Sequence, residues 1–471
     1  MPASVNGRPA VITLTYLGFA LQLVQVGLLP LLPAIGRALH TTAAGTSWIL
    51  TSGLLSGAVL LPVLTRLADL FGKKPVILLA MALVVLGCVI DSLATTLPLV
   101  LLGRVLIGAQ LPMLALPEAI ASDTLPPRRA HTAISAIHVG TGLGIAAGLL
   151  LGALVGIHPE NWHLYFAIGA GAALLGLVAT LVFVRDSPAR ARGGLDAAGA
   201  VMLALALLAL LLGLSEGPGW GWGSAPVVGL LLGGAALGTV WWWRERTART
   251  PLIDVSVVLR PAVGLPYAMT FLIAFGIYGS LSAVTRLAQT PAAAGFGYGW
   301  NSLTAGWFAL PQAIGSLLGI VVLRAARPHG LVPTSAIGFA SIVIGFAGFG
   351  FGHAVPVVEL VSLGFDSMGL AVALAATQLL VLRAVPAAES GIALGLSVVM
   401  YAVGNSVGSA VVGVFFAAIT TPAGQPALNS YLAGFAACGL CAVIALLLCV
   451  PLARRTSAGA TTAGNLNGAT A

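Results

Sequence analysis

Residues 47–78 read SWILTSGLLSGAVLLPVLTRLADLFGKKPVIL. An apolar run long enough to cross a bilayer as a helix ends in Arg66, Asp69, Gly72, Lys73 and Lys74, and a second apolar run follows at once. Two membrane-crossing helices joined by a short charged turn account for this pattern. An amphipathic helix of a water-soluble fold does not, because it would carry polar residues along its whole length. The rest of the chain is written the same way. Of 471 residues, 59% are hydrophobic and only 7% are charged. A soluble protein of this length needs far more surface charge. The 60 glycines suit helices that pack closely in lipid. The chain is therefore read as an all-α polytopic membrane protein.

Apolar spans are expected at 11–36, 47–65, 75–95, 98–121, 132–156, 162–184, 196–215, 226–243, 264–286, 302–323, 331–351, 355–383, 391–420 and 430–452, fourteen transmembrane helices in all. An even count puts both termini on one side. With that side cytoplasmic, every Lys and Arg lies in an inner segment except Arg37, Arg286 and the in-span Arg104. The net charge of +8 then reflects topology, and no nucleic-acid partner is expected. The N-terminal apolar stretch is longer than a signal-peptide core and reads as an uncleaved first span. The tail 453–471, rich in Ala, Gly, Thr and Asn, is expected to be disordered. Cys438 and Cys441 form a C-x-x-C without a second ligand pair, so neither a metal nor a cofactor is expected.

A weak internal repeat is present. RLADLFGKKP (66–75) aligns with RAARPHGLVP (324–333), pairing Arg66 with Arg324, Ala68 with Ala326, Gly72 with Gly330 and Pro75 with Pro333 at a constant offset of 258. The same offset maps the start of 132–156 onto the start of 391–420, leaving two six-helix halves with the pair 196–243 between them. Such repeats are common in secondary transporters, whose substrate sites lie at the repeat interface near mid-membrane.

At this point the chain resembles the major facilitator superfamily, and specifically its fourteen-span drug:proton antiporters. The stretch 47–78 is similar to that family's second span and inner loop. LLGRVLIGAQLPMLALP (101–117) resembles its fourth-span motif with a membrane arginine, here Arg104, while NWHLYFAI (161–168), GLDAAGAVMLALALLALLLGLSEGPGWGW (194–222), PLIDVSVVLRP (251–261) and VPAAESGIALGL (385–396) resemble further stretches. The resemblance implies a major facilitator fold of two six-helix halves plus two inserted central helices. The N-terminal bundle would span 1–184, the inserted pair with its cytoplasmic linkers 185–260, and the C-terminal bundle 261–452. It also implies a monomer in the cell inner membrane that exports hydrophobic or amphipathic drugs against protons. Two departures bear on the coupling. The first span, LQLVQVGLLPLLP (21–33), has Gln22 and Gln25 where such exporters usually carry an aspartate. The fifth span, GTGLGIAAGLLLG (140–152), lacks the usual Gly-Pro.

The candidate site residues follow from cost. An ionisable group within a span is expensive and is a functional hypothesis by default. Arg104 would bias a nearby acid or bind an anionic group. Glu359 and Asp366 are two turns apart on one span, with Asp366 about 16 Å from the outer edge. Asp366 is the first proton-carrier candidate. Glu359 is placed nearer the outer mouth, and Glu118 is an alternative carrier. Gln22, Gln25, Gln312, Gln378 and His138 are candidate liners of a substrate cavity, with His138 more simply read as a hydrogen-bonded structural group. Asp91, near a helix end, is expected to be solvated. Gly140, Gly144, Gly148 and Gly152 recur every four residues and form a packing strip. In the resembled fold the helix that carries it packs against one from the other half. In the charged turn, Lys73 and Lys74 are topology anchors and Gly72 suits a positive φ. Asp69, near a helix C-terminus where the dipole disfavours an anion, wants either Arg66 or the N-terminus of a helix from the other half. A facilitator or symporter of another small molecule is the alternative function. A membrane enzyme or lipid-handling protein would need acid or histidine pairs at fixed spacing, and the sequence has none.

Overall fold

The computed structural model of the chain describes residues 8–41, 43–188, 196–248, 261–292, 295–300, 308–386, 389–421 and 426–468. These residues are helical almost throughout. The first half comprises α1 (Arg8–Val26), the short α2 (Leu32–Ala38), α3 (Ala43–Phe71), α4 (Lys73–Leu93), α5 (Leu97–Ile107), α6 (Leu116–Thr124), α7 (Pro127–Val155) and α8 (Trp162–Phe183). The inserted hairpin is α9 (Ala197–Trp220) and α10 (Ala225–Thr247). The second half comprises α11 (Pro261–Gln289), α12 (Ala309–Ala326), α13 (Leu331–Gly352), α14 (Pro356–Arg383), α15 (Ser390–Ala418) and α16 (Leu428–Gly468). Twelve segments are long and apolar enough to cross a membrane, and the shorter apolar helices Ala198–Leu214 and Ala262–Ile277 stand where the other two expected spans fall. The linkers at 189–195 and 249–260, including most of PLIDVSVVLRP, and the start of the expected 302–323 span lie outside the described residues.

What faces outward is apolar. Along α8, Leu164, Leu174, Leu175, Leu181 and Val182 are exposed while Tyr165, Phe166, Gly169, Ala173 and Gly176 are buried. Leucine outside and aromatic or small residues inside is the pattern of a helix solvated by lipid, where packing rather than hydrophobicity selects the inner face. Each half has its own apolar core. Trp162 and Phe166 are buried in the first, Phe339 and Phe435 in the second.

The helix pairings repeat between the halves. α1 packs on α7 as α11 packs on α15, α4 on α8 as α13 on α16, and α3 on α5 as α12 on α14. Across the halves α3 meets α15, and α7 meets α12 and α14. The inserted hairpin lies against α3 and α15 through α9. Asp196 caps α9, accepting from the Gly199 N–H (3.0 Å) and from Arg244 Nη2 (2.9 Å) on α10, which ties the two helices together at their open end.

The span expected at 98–121 is one membrane-crossing segment, Leu97–Thr124, with a local change of helix type inside it: Gly108–Leu114 tightens to a 3₁₀ segment containing Pro112, and α6 restarts with Pro117 in its first turn. Each proline removes an N–H from the helical ladder, so the change falls where they lie. After the last span, α16 continues as helix to Gly468.

Candidate functional site

The charged turn after α3 ties the two halves together. Gly72 takes φ 123° between α3 and α4, as the sequence required. Of the two partners anticipated for Asp69, the structure selects the other half: Asp69 Oδ2 accepts the Ile392 N–H (2.7 Å) in the first turn of α15. This places a carboxylate on a helix N-terminus, where unpaired N–H groups and the dipole favour it. Close by, Thr65 packs against Gly395, where a Cβ would lie 2.9 Å from the threonine side chain. Lys73, expected as a topology anchor, also takes part in this contact. Its side chain is fully buried, 2.7 Å from Asp123 Oδ2 and 3.4 Å from Asp69 Oδ1. Asp123 accepts further bonds from Ser187 Oγ (2.6 Å) and, across the halves, from Ser390 Oγ (3.1 Å). Lys74 reaches the Leu181 carbonyl with Nζ (2.9 Å), and its N–H donates to Asp186 Oδ1 (3.0 Å). Arg66, three residues before Asp69, is also buried. A buried lysine between two carboxylates holds its position because removing any one charge strands the others.

At the other end of α3, Arg104 is fully buried. Its Nε donates to the Ile49 carbonyl (3.1 Å), and Nη2 stands 3.5 Å from Gln25 Oε1, which also accepts from Gln110 Nε2 (2.7 Å). Asp91, expected in solvent, is fully buried. It lies against Gly103, where any side chain would collide with its carboxylate, and Arg104 is the cation that acts on it. Packing of α4 on α5 covers the face that looked interfacial in sequence. Glu118 and His138 come together as a buried pair, Nε2 to Oε1 3.0 Å, on α6 and α7. Glu359 is buried against Tyr298 and does not line a mouth.

Between the halves lies a cavity of about 260 Å³, lined by Gln22, Gln25 and Gln110, by Tyr401, Asn405, Ser406 and Ser409 of α15, and by leucines including Leu211 and Leu214 of α9. It touches Thr51–Leu55 on α3, so about 21 Å of helix separates it from Asp69. Beside it, a smaller pocket is lined by Gln22, Gln312, Ser367, Tyr401 and Asp366. Gln22 and Tyr401 border both spaces, so Asp366 stands one residue layer from the larger cavity. Its neighbour Ser367 donates to the Gln312 carbonyl (2.9 Å) and lies 2.8 Å from Ser316 Oγ. Gln378 and His138 are buried but line neither space.

The family model of the Major Facilitator Superfamily matches residues 12–409. The chain belongs to that superfamily. Over 436 residues it is 26% identical to the multidrug resistance protein Stp of Mycobacterium tuberculosis, covering 90% of this chain and 79% of Stp. It is 29% identical over 394 residues to the tetracenomycin C resistance and export protein of Streptomyces glaucescens, covering 82% of this chain and 71% of that protein. Among solved structures, the human organic anion transporter MFSD10 superposes with TM-score 0.65 at 19% identity, over 93% of this chain and 99% of that one. The proton:xylose symporter XylE gives 0.64 at 16% identity, over 93% and 94%. These likenesses establish the transporter fold and a polytopic membrane protein.

In this superfamily member the helix that carries the glycine strip, α7, meets α12 and α14 of the other half as expected, while the strip itself packs within its own half. A Cβ at Gly140, Gly144, Gly148 or Gly152 would strike the carbonyl oxygens of Thr15, Phe19, Leu23 and Gly27 respectively, on α1 and just past its end. The glycine that faces the other half is Gly142, against Ser316 of α12. Sequence reasoning missed Asp123, Gln110 and the polar face of α15. A signal for the last was present, since Tyr401, Asn405 and Ser409 recur every four residues and so share one face.

Proposed function

We propose that the protein is a proton-driven exporter of hydrophobic or amphipathic drugs or natural products, working by alternating access with its Asp69 end cytoplasmic. The observation that carries this reading is the cavity between the halves. Its wall combines eight leucines with uncharged amide and hydroxyl groups for orientation, and Asp366 lies one layer away behind Gln22 and Tyr401. A cavity of about 260 Å³ is just below the roughly 300–1,000 Å³ of small-molecule sites. The relatives named for multidrug resistance and tetracenomycin export support the substrate class.

In this cycle the Asp69 contact acts as a latch. With Asp69 on the α15 N-terminus the cytoplasmic end is shut, and bound drug leaves outward. Asp366 then takes a proton from the outer side and, neutral, lets the halves rock past it. When the latch parts, the proton leaves inward and a new drug molecule enters. Arg104 with Gln25 and Gln110 stiffens the outer wall, and two glutamines in place of a first-span acid leave Asp366 as the carrier nearest the cavity. Drug accumulation in an efflux-deficient strain tests the reading. Expression is expected to lower accumulation, an uncoupler to restore it, and Asp366→Asn to abolish pH-coupled transport. Full coupling in that variant would remove Asp366 from the role, and unchanged accumulation across a broad panel would count against export itself.

A further inference from the structure

The internal repeat accounts for two six-helix halves and leaves the inserted hairpin outside it. The helix pairings that recur between the halves include neither α9 nor α10. Yet one face of α9 is turned into the protein. Leu203, Leu207, Leu211 and Leu214 are spaced by four, four and three residues, which places them on one stripe of the helix. Leu203, Leu207 and Leu211 are buried, whereas Val201 and Leu205 on the opposite side are exposed.

The stripe meets the two halves at two levels. Nearer the Asp69 end, Leu203 and Leu207 share an apolar cluster with Leu61 of α3 and with Val398 and Val399 of α15, so side chains fill the space between the three helices. Thr65 of α3 packs against Gly395 of α15 on that side of the cavity. Ten residues further along each of these helices, Leu55 and Asn405 line the cavity instead. Leu211 and Leu214 of α9 line it with them, and Leu211 also clusters with Leu55 and Ala58. Behind α9 lies α10, whose Leu232, Val240 and Trp243 are exposed. On this side α9 therefore stands between the cavity and the outer apolar surface. A helix that served only to connect the halves would have no need of side chains in the cavity. The orienting amides and hydroxyls come from the halves themselves. Leucine forms no side-chain hydrogen bond, so it favours ligand carbon by burial and discriminates by volume alone. Resting on the reading of this cavity as the drug site, we infer that α9 is a working wall of it, and that Leu211 and Leu214 set the largest drug the protein admits.

Two measurements test this, the first without any drug. With the four native cysteines replaced, Leu214→Cys or Leu205→Cys is exposed to a water-soluble maleimide in whole cells and in inside-out vesicles. The thiolate is the reacting form and needs water, so Leu214→Cys is expected to react roughly tenfold faster than Leu205→Cys from the side on which the cavity opens. Equal rates from both sides would overturn the wall. The second measurement is the accumulation of ethidium and of the bulkier doxorubicin in an efflux-deficient strain. Leu214→Ala is expected to raise export of doxorubicin relative to ethidium roughly tenfold, Leu214→Trp to lower it, and Leu205→Trp to leave it as in wild type. A ratio unchanged in both Leu214 variants would overturn the size limit. Should Leu214→Trp fail to reach the membrane, Leu214→Ala decides. If wild type exports neither drug, it is the export reading that falls, and the maleimide rates alone decide whether α9 walls the cavity.

Discussion

Lys73 shows how little a residue's apparent role follows from its place in a sequence. Beside Lys74 it looks like half of a basic pair at a membrane surface, yet it is fully buried between Asp69 and Asp123. Truncating it strands two carboxylates in an apolar setting. Lys73→Met is expected to cost on the order of 3–5 kcal/mol, read as a lowered unfolding temperature in detergent, whereas Lys74→Met, with its ammonium exposed, should change little. Equal effects from the two would mean that the buried triad does not hold the turn. Asp366 is the matching case on the functional side. Its sequence position suggested mid-membrane depth, and the structure adds the neighbours, Gln22, Gln312 and Tyr401, that connect it to the cavity.

At the scale of helices, close approach decides the packing. Gly144 leaves room for the Phe19 carbonyl, and even a methyl group there requires α1 and α7 to separate. Gly144→Ala should cost about 1–3 kcal/mol, while Gly171→Ala on α8, with nothing near its Cβ position, should stay within about 0.5 kcal/mol. Parallel unfolding curves of the two variants check this. The inserted hairpin gives a pH test. Arg244 beside Asp196 holds that carboxyl below the usual aspartate value. A depressed folded-state value means the contribution is present above about pH 3.9, the ordinary aspartate value, and is lost as the pH falls through the lower folded one. Asp196→Asn should therefore lower stability at neutral pH, with the difference from wild type closing under acid. A pH-independent difference would assign the effect to the helix cap alone.

For the molecule as a whole, the two halves are joined at the Asp69 end by contacts that must part if access alternates. Thr65 against Gly395 is one of these that a cross-link can capture. With the four native cysteines replaced, Thr65→Cys with Gly395→Cys is expected to stop transport under oxidation and to recover it on reduction. Transport that persists at full cross-linking would mean that this seam stays closed throughout the cycle.

Much of this was legible in the sequence because lipid imposes a simple code. Apolar runs of fixed length give spans, charged turns separate them, and the offset of 258 exposes the two halves. Gly72 and the bond between Asp69 and a helix start were likewise readable, since backbone geometry and the helix dipole each demand a particular partner. The sequence did not show that Asp91 is buried, that Glu118 meets His138, or that the glycine strip serves α1 and not the other half. Each depends on which face of a helix meets which neighbour. In a membrane helix that choice is only weakly marked, because lipid-facing and protein-facing sides are both apolar. Composition and periodicity determined that this chain spans a membrane as two related bundles. Only the tertiary contacts decided which polar groups share a cavity, because those contacts join residues from helices hundreds of positions apart.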